Sequence, residues 1–451
     1  MLKLYVSIVI LAVLGIIEYL KYRHILAATV IYPIMWILSF VGIILKGNEY
    51  YEISWIMPLI VVLGYILFII GFGLMYRREL SKTPQDTNTL TNMKKSGLYT
   101  SRSQTLDNSQ VESQMLGLNI IMIVAIGIFV MTLYYMLQVI DIHNILDSLY
   151  SIKRMIDSNE KPFPYIVVVS RYYFRCAIWY LSLVYFKIPK GCDYKDKNGI
   201  NIKTSVLIKL IVVIGMASVV MFTDISRNDI LMTLLPVLFI FLLSKRLSSI
   251  KALLVSACSF AIFVVLFVIF LYFRKGAVEL FKEKGVEGGE DSFYFYLTCG
   301  TPAIDQLYKN GTIKIFTVEG DGARHTFSLP AAISDMLFGT TVKPEVLQKR
   351  IRIGPKTSTN VYTYYHWLGM DFGLIYAAIF QFVFGLLYGF LYGRINNEGY
   401  IAIIWYAVLM YPLCMMFFED QYLAIGQTWL IIMAFSYMIQ IICRKSKVLL
   451  A

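Results

Sequence analysis

The stretch Trp55-Ile-Met-Pro-Leu-Ile-Val-Val-Leu-Gly-Tyr-Ile-Leu-Phe-Ile-Ile-Gly-Phe-Gly-Leu-Met75 contains no charged side chain, and Arg77 and Arg78 follow almost at once. As a helix rising 1.5 Å per residue it would reach about 30 Å, the thickness of a bilayer's hydrocarbon core. Similar runs recur outward in both directions. The expected spans are Leu2–Leu20, Ile25–Leu45, Trp55–Met75, Leu116–Val139, Pro164–Phe186, Val206–Met221, Ile230–Leu243, Ala252–Tyr272, Phe372–Tyr392, Ile401–Phe418 and Ala424–Cys443. Ile230–Leu243 is short for a crossing. Composition agrees: 58% of the 451 residues are hydrophobic and only 16% charged, too few charges to coat a soluble exterior. The expectation is an all-α polytopic membrane protein with about eleven transmembrane helices, residues 1–451 forming a single integral membrane domain.

Lysine and arginine orient it. Alternate loops hold twenty of them, including Arg77, Arg78, Lys94, Lys95, Lys195, Lys197, Arg394, Arg444 and Lys445. The opposite segments hold six: Lys3, Lys46, Lys153, Arg154, Lys161 and Arg227. Positive charge stays on the cytoplasmic side, so the chain is expected N-out and C-in. The net charge of +12 then points to anionic lipid, not to nucleic acid. The six cysteines show no paired spacing, and no structural disulfide is expected.

Two connections are long. Residues 77–115 are rich in Ser, Thr, Asn and Gln and read as a flexible cytoplasmic loop. Residues 274–365, between the eighth and ninth spans, carry Phe293, Tyr294, Phe295, Tyr296, Tyr308, Phe316, Phe327 and Phe338 among balanced charges. They read as a large, partly helical external cap, with helix over Asp291–Lys309 broken at Thr301-Pro302 and a short piece at Ile333–Leu337.

Four clusters lie toward the external side. Arg171 and Arg175 sit inside the fifth span, one turn apart on one face. A charge within the bilayer costs at least about 2.5–3.5 kcal/mol and needs a reason. Two remain open: an anion held between the guanidiniums, or snorkelling toward outer headgroups. Asp224-Ile-Ser-Arg-Asn-Asp229 reads as a turn, with Asp224 and Arg227 pairing, or as part of a site. Lys349-Arg-Ile-Arg-Ile-Gly-Pro-Lys356 brings Arg350 and Arg352 close to Asn360-Val-Tyr-Thr-Tyr-Tyr-His-Trp-Leu-Gly-Met-Asp371. An aromatic interface belt explains Tyr362, Tyr364, Tyr365 and Trp367; it explains His366 and Asp371 less well. Glu419-Asp420, between the last two spans, is a base and its partner or a pair of loop acids. No Walker A, Rossmann glycine or HExxH pattern occurs, so any transfer chemistry here uses a pre-activated substrate without ATP.

Ser226-Arg-Asn-Asp-Ile-Leu-Met232 and Thr359-Asn-Val-Tyr-Thr-Tyr-Tyr-His-Trp-Leu-Gly-Met-Asp-Phe-Gly373, the second followed by a glycine-rich apolar helix, resemble motifs of bacterial Wzy-type oligosaccharide repeat-unit polymerases, which build O-antigen and capsule. Helix count and the external loop after the eighth span agree with that family. The resemblance implies an inner-membrane glycosyltransferase with its active site facing the periplasm. It would polymerise undecaprenyl-diphosphate-linked oligosaccharide repeat units, with the lipid diphosphate leaving. Arg227 falls on the arginine motif, and Asn360, Tyr362, Thr363, Asp371 and Gly373 on the second; His366 stands where relatives often carry another residue. The expected diphosphate clamp is Arg171, Arg175 and Arg227, with Arg350 and Arg352. His366, ahead of Glu419 and Asp420, is expected to take the acceptor proton, and Asn360, Tyr362, Thr363, Tyr365 and Asp371 to meet sugar. No metal and no cofactor are expected. Membrane lipid surrounds the chain, and a chain-length regulator is the implied protein partner. The rivals are a lipid-linked-oligosaccharide flippase, which would bring internal repeats, and an O-antigen ligase, which differs in its acceptor.

Overall fold

A computed structural model of the chain describes residues 1–47, 49–81, 108–138, 165–188, 199–222, 227–245, 247–259, 293–317, 326–327, 330, 350–396 and 400–445. The described residues are mostly helical, and eight helices are long and apolar enough to cross a membrane. These are α1 (Leu2–Tyr22), α2 (Ala28–Leu45), α3 (Ile56–Ser81), α4 (Asn108–Leu137), α6 (Ile202–Phe222), α7 (Arg227–Lys245), α11 (Leu374–Asn396) and α13 (Gly426–Lys445). At 19 residues, α7 exceeds its expected length and reaches a spanning one. Three expected spans fall outside the eight. Helix α5 (Tyr165–Lys187) has the length, but Arg171, Arg175 and its many tyrosines dilute its apolar character. Helix α8 is described over Ser249–Ser259, the rest of Ala252–Tyr272 lying outside the described residues. Helix α12 (Tyr400–Met415) has 16 residues, about 24 Å.

The chain divides into two compact units. The first comprises Met1–Leu74, Arg246–Gly389 and Ala407–Trp429; the second comprises Met75–Lys245, Phe390–Tyr406 and Leu430–Ala451. The expected loop 77–115 is narrower than its assignment. Arg77–Ser81 continue α3 and Asn108–Gln114 begin α4, because apolar helices carry their polar ends past the hydrocarbon; residues 82–107 lie outside the described residues.

In the first unit α3 and α11 approach backbone to backbone. A Cβ on Gly385 would lie 2.2 Å from the Phe68 carbonyl oxygen, and one on Gly389 2.3 Å from that of Phe72. Small residues four apart let helices meet where lipid removes the hydrophobic drive between them. Two prolines loosen the helical ladder here, and a tyrosine donates to a carbonyl in the turn before each. Pro33 frees the carbonyl four residues earlier, at Thr29, to which Tyr65 Oη donates at 2.5 Å. Pro412 loosens the turn before it, and Tyr388 Oη donates to the Leu409 carbonyl. In the second unit Pro236 of α7 is treated alike: Trp179 Nε1 donates to the Thr233 carbonyl at 3.1 Å.

The described part of the expected cap belongs to the first unit. Helix α9 (Phe293–Lys309) runs unbroken through Pro302, contrary to the expected interruption. Packing overrides the proline. Thr298, Cys299, Thr301, Ala303, Ile304 and Asp305 are buried, and Tyr294 Oη donates to the Gly42 carbonyl of α2. Asp305 accepts from the Ser54 amide at 3.0 Å and from Lys309 at 2.8 Å, fastening α9 to the loop before α3. Strands β1 (Ile351–Arg352) and β2 (Ser358–Thr359) form an antiparallel hairpin, which the Tyr51 amide joins by donating to Ile353 O at 2.8 Å. Ile333–Leu337 lies outside the described residues.

Candidate functional site

In the second unit, α5 presents Arg171 and Arg175 on one face as their spacing requires, and both meet Asp229 in the first turn of α7. Arg171 Nη1 lies 3.2 Å from Asp229 Oδ2, and Arg175 Nη2 bonds Oδ1. The Tyr172 ring lies 5.3 and 5.1 Å from the two guanidinium carbons, within cation–π range. Both guanidiniums therefore meet the same carboxylate. Arg175 is fully buried; one donor goes to the weak acceptor Met232 Sδ at 3.3 Å, and Nε has no hydrogen bond. Snorkelling is thus not what Arg175 does: its guanidinium turns to an acid on a neighbouring helix. Sequence reading missed that acid's role. Asp229 was in view beside Arg227, but its partners stand 54 and 58 residues away. Arg227 is the first residue of α7, and Asp224 lies outside the described residues.

In the first unit, the second motif forms the helix α10 (Tyr365–Asp371) and the segment before it. His366 stacks flat on Tyr362, centroids 4.0 Å apart and planes at 8°, with the Trp367 ring at 4.3 Å. Asn360 is exposed, Tyr362 and Thr363 are buried, and Thr363 Oγ1 accepts from the Tyr365 amide at 3.3 Å. Two expected sugar contacts are turned elsewhere. Tyr365 is fully buried, its hydroxyl facing Tyr32 Oη and the Ile60 carbonyl, both at 3.4 Å, inside the helix bundle. Asp371 is buried and its Oδ2 accepts from the Thr326 amide at 2.7 Å, tying that residue to α10.

The Asp-Phe-Gly triplet as a whole works as a fastening. Phe372 O accepts from the Thr317 amide at 3.2 Å, while the Leu374 and Ile375 amides, otherwise orphans at the start of α11, donate to Lys314 O and Ile315 O. Phe327 rests 6.2 Å from both Phe372 and Phe380. Sequence pattern marked these residues as important without saying that the reason is structural.

The loop between α12 and α13 carries both acids and packs against this motif: the Tyr364 amide donates to Met416 O at 2.9 Å. Asp420 is 1% exposed. Its Oδ1 accepts from the Tyr422 and Leu423 amides at 2.9 and 3.1 Å, and Oδ2 is buried without a hydrogen bond. Burial pushes its carboxyl up to about 6, against the downward pull of the Tyr422, Leu423 and Ala424 amides. Glu419 is half-buried, with Gln421 Nε2 donating to its Oε2 at 2.7 Å. Arg350 and Arg352, on the hairpin of the same unit, are exposed.

A consequence follows for stability against pH. Because folding raises the Asp420 pKa, its contribution is present below about pH 4 and is lost as pH rises through about 6. Asp420→Asn keeps an oxygen for the two amides and cannot ionise. Thermal unfolding in detergent should show a falling slope between pH 4 and 6 for the natural protein and none for the variant. Near neutrality the variant should be steadier by about 2–3 kcal/mol.

Compared with known protein families, curated proteins and solved structures, the chain matches none.

Proposed function

We propose that the protein is a glycosyltransferase that polymerises undecaprenyl-diphosphate-linked repeat units on the periplasmic side of the bacterial inner membrane. On this reading the chain crosses eleven times, N-out and C-in, with α5, α8 and α12 completing the eight apolar spans. The observation that carries the proposal is the Arg171–Asp229–Arg175 cluster, in which two arginines one turn apart meet the same carboxylate and the Nε of the fully buried Arg175 has no hydrogen bond. A diphosphate brings negative charge and many acceptor oxygens, the chemistry that guanidinium forks such as these bind.

In the reaction an acceptor hydroxyl attacks the anomeric carbon of the donor, the bond from that carbon to the diphosphate oxygen breaks, and the lipid diphosphate leaves. Negative charge grows on the departing diphosphate, where fixed arginines stabilise it without reorganising. Arg227, from the resembled motif, joins that role. The acceptor proton goes to Glu419. Sequence alone favoured His366, but the structure leaves it 6% exposed and stacked on Tyr362, and Asp420 is committed to its turn. Glu419 combines partial access with a fixed orientation. The half-buried Trp367 offers an aromatic face to sugar, with Asn360 at the exposed edge.

Deleting the gene in its native host separates the readings. Loss of a polymerase leaves single repeat units on the final acceptor, loss of a ligase leaves none, and loss of a flippase traps repeat units in the cytoplasmic leaflet.

A further inference from the structure

Between the two acids and α13 sits a side chain that neither motif includes. Gln421 is 4% exposed, and its side-chain amide and backbone carbonyl are engaged in defined directions. Its Nε2 donates to Glu419 Oε2 at 2.7 Å, its Oε1 accepts from Tyr411 Oη at 3.1 Å, and its backbone carbonyl accepts from Trp429 Nε1 at 3.0 Å. The amide's orientation is fixed by chemistry: an ionised carboxylate only accepts, so Nε2 must face Glu419 and Oε1 must face the tyrosine. The turn is held on its other side by the Tyr422 and Leu423 amides bonding Asp420.

We infer that Gln421 is a positioning residue, which with Tyr411 behind it holds the Glu419 carboxylate aimed to take the acceptor proton. The inference rests on the role proposed for Glu419. A donor bonded to a carboxylate favours its charged form, and a buried amide locked from behind cannot rotate away to water. Tyr411→Gln421→Glu419 is therefore a relay of orientation, not of protons.

The test is initial polymerisation rate against pH, in proteoliposomes supplied with lipid-linked repeat units extracted from the native host. Gln421→Leu removes the donor while keeping the volume. It should lower kcat about tenfold or more, raise the acid-limb midpoint by about one pH unit and leave the acceptor KM nearly unchanged. Tyr411→Phe should shift the midpoint the same way by less. Lower activity with an unmoved midpoint, while Glu419→Gln is inactive, would overturn the positioning role and leave Glu419 in place. A Glu419→Gln enzyme as fast as the natural one would remove both. If Gln421→Leu fails to accumulate, Tyr411→Phe decides: an unmoved midpoint there counts against the relay.

Discussion

Asp229→Ala should lower the stability of the purified protein by about 3–5 kcal/mol, among the largest losses any single substitution here would cause. The reason is asymmetric. Removing one partner of a buried ion pair leaves the other's charge without compensation, and that costs far more than the intact pair contributes. Here one deletion takes a carboxylate from two cations, and one of them, Arg175, is fully buried beside Tyr172 and the Met232 thioether. Thermal unfolding in detergent, followed by size-exclusion fluorescence, reads the loss directly. The double variant Arg175→Met/Asp229→Leu removes the most buried charge together with its acid and should recover most of the stability while remaining unable to polymerise. Asp229→Ala unfolding at the natural temperature would mean that the carboxylate is not the counter-charge described.

Gly373→Ala is expected to damage the protein nearly as much, for unrelated reasons. Gly373 has φ of 92°, a backbone region that a Cβ disfavours. A Cβ there would also lie 2.6 Å from Ile315 O and 2.9 Å from the Phe316 Cα, backbone atoms that have no free end to swing aside. Ile315 O, with Lys314 O beside it, accepts the first amides of α11, so relief of the clash breaks the fastening of this segment to the helix. A loss of about 2–4 kcal/mol follows from strain and lost hydrogen bonds together. Proteolysis should then cut the cap around residues 314–327 faster than in the natural protein. An alanine variant with unchanged unfolding and cleavage would contradict the arrangement.

The apolar spans were legible because length and lack of charge are written in single residues. Even α5, despite two arginines, begins and ends within one residue of its expectation. What failed was everything decided by a distant partner. Pro302 reads locally as a break, yet burial of α9 against α2 keeps the helix whole. Tyr365 reads as one of four interfacial aromatics, and only the neighbouring Tyr32 shows that its hydroxyl points inward. The arginine pair was visible from its spacing and its cost; its acid was not, since no local pattern ties residue 229 to residue 175. Gln421 escaped for the opposite reason: adjacent to two carboxylates, it looks like loop filler until its amide is seen to bridge Glu419 and Tyr411.

The most direct measurement is the glycan pattern from native-host cells whose chromosomal copy is deleted and replaced by Arg175→Ala, with membrane abundance matched to the natural protein. Guanidiniums that grip a departing diphosphate predict collapse of the long-chain ladder to single repeat units, with Glu419→Gln giving the same product. A full ladder from Arg175→Ala at equal abundance would contradict the account and leave the Arg171–Asp229–Arg175 cluster a purely structural contact.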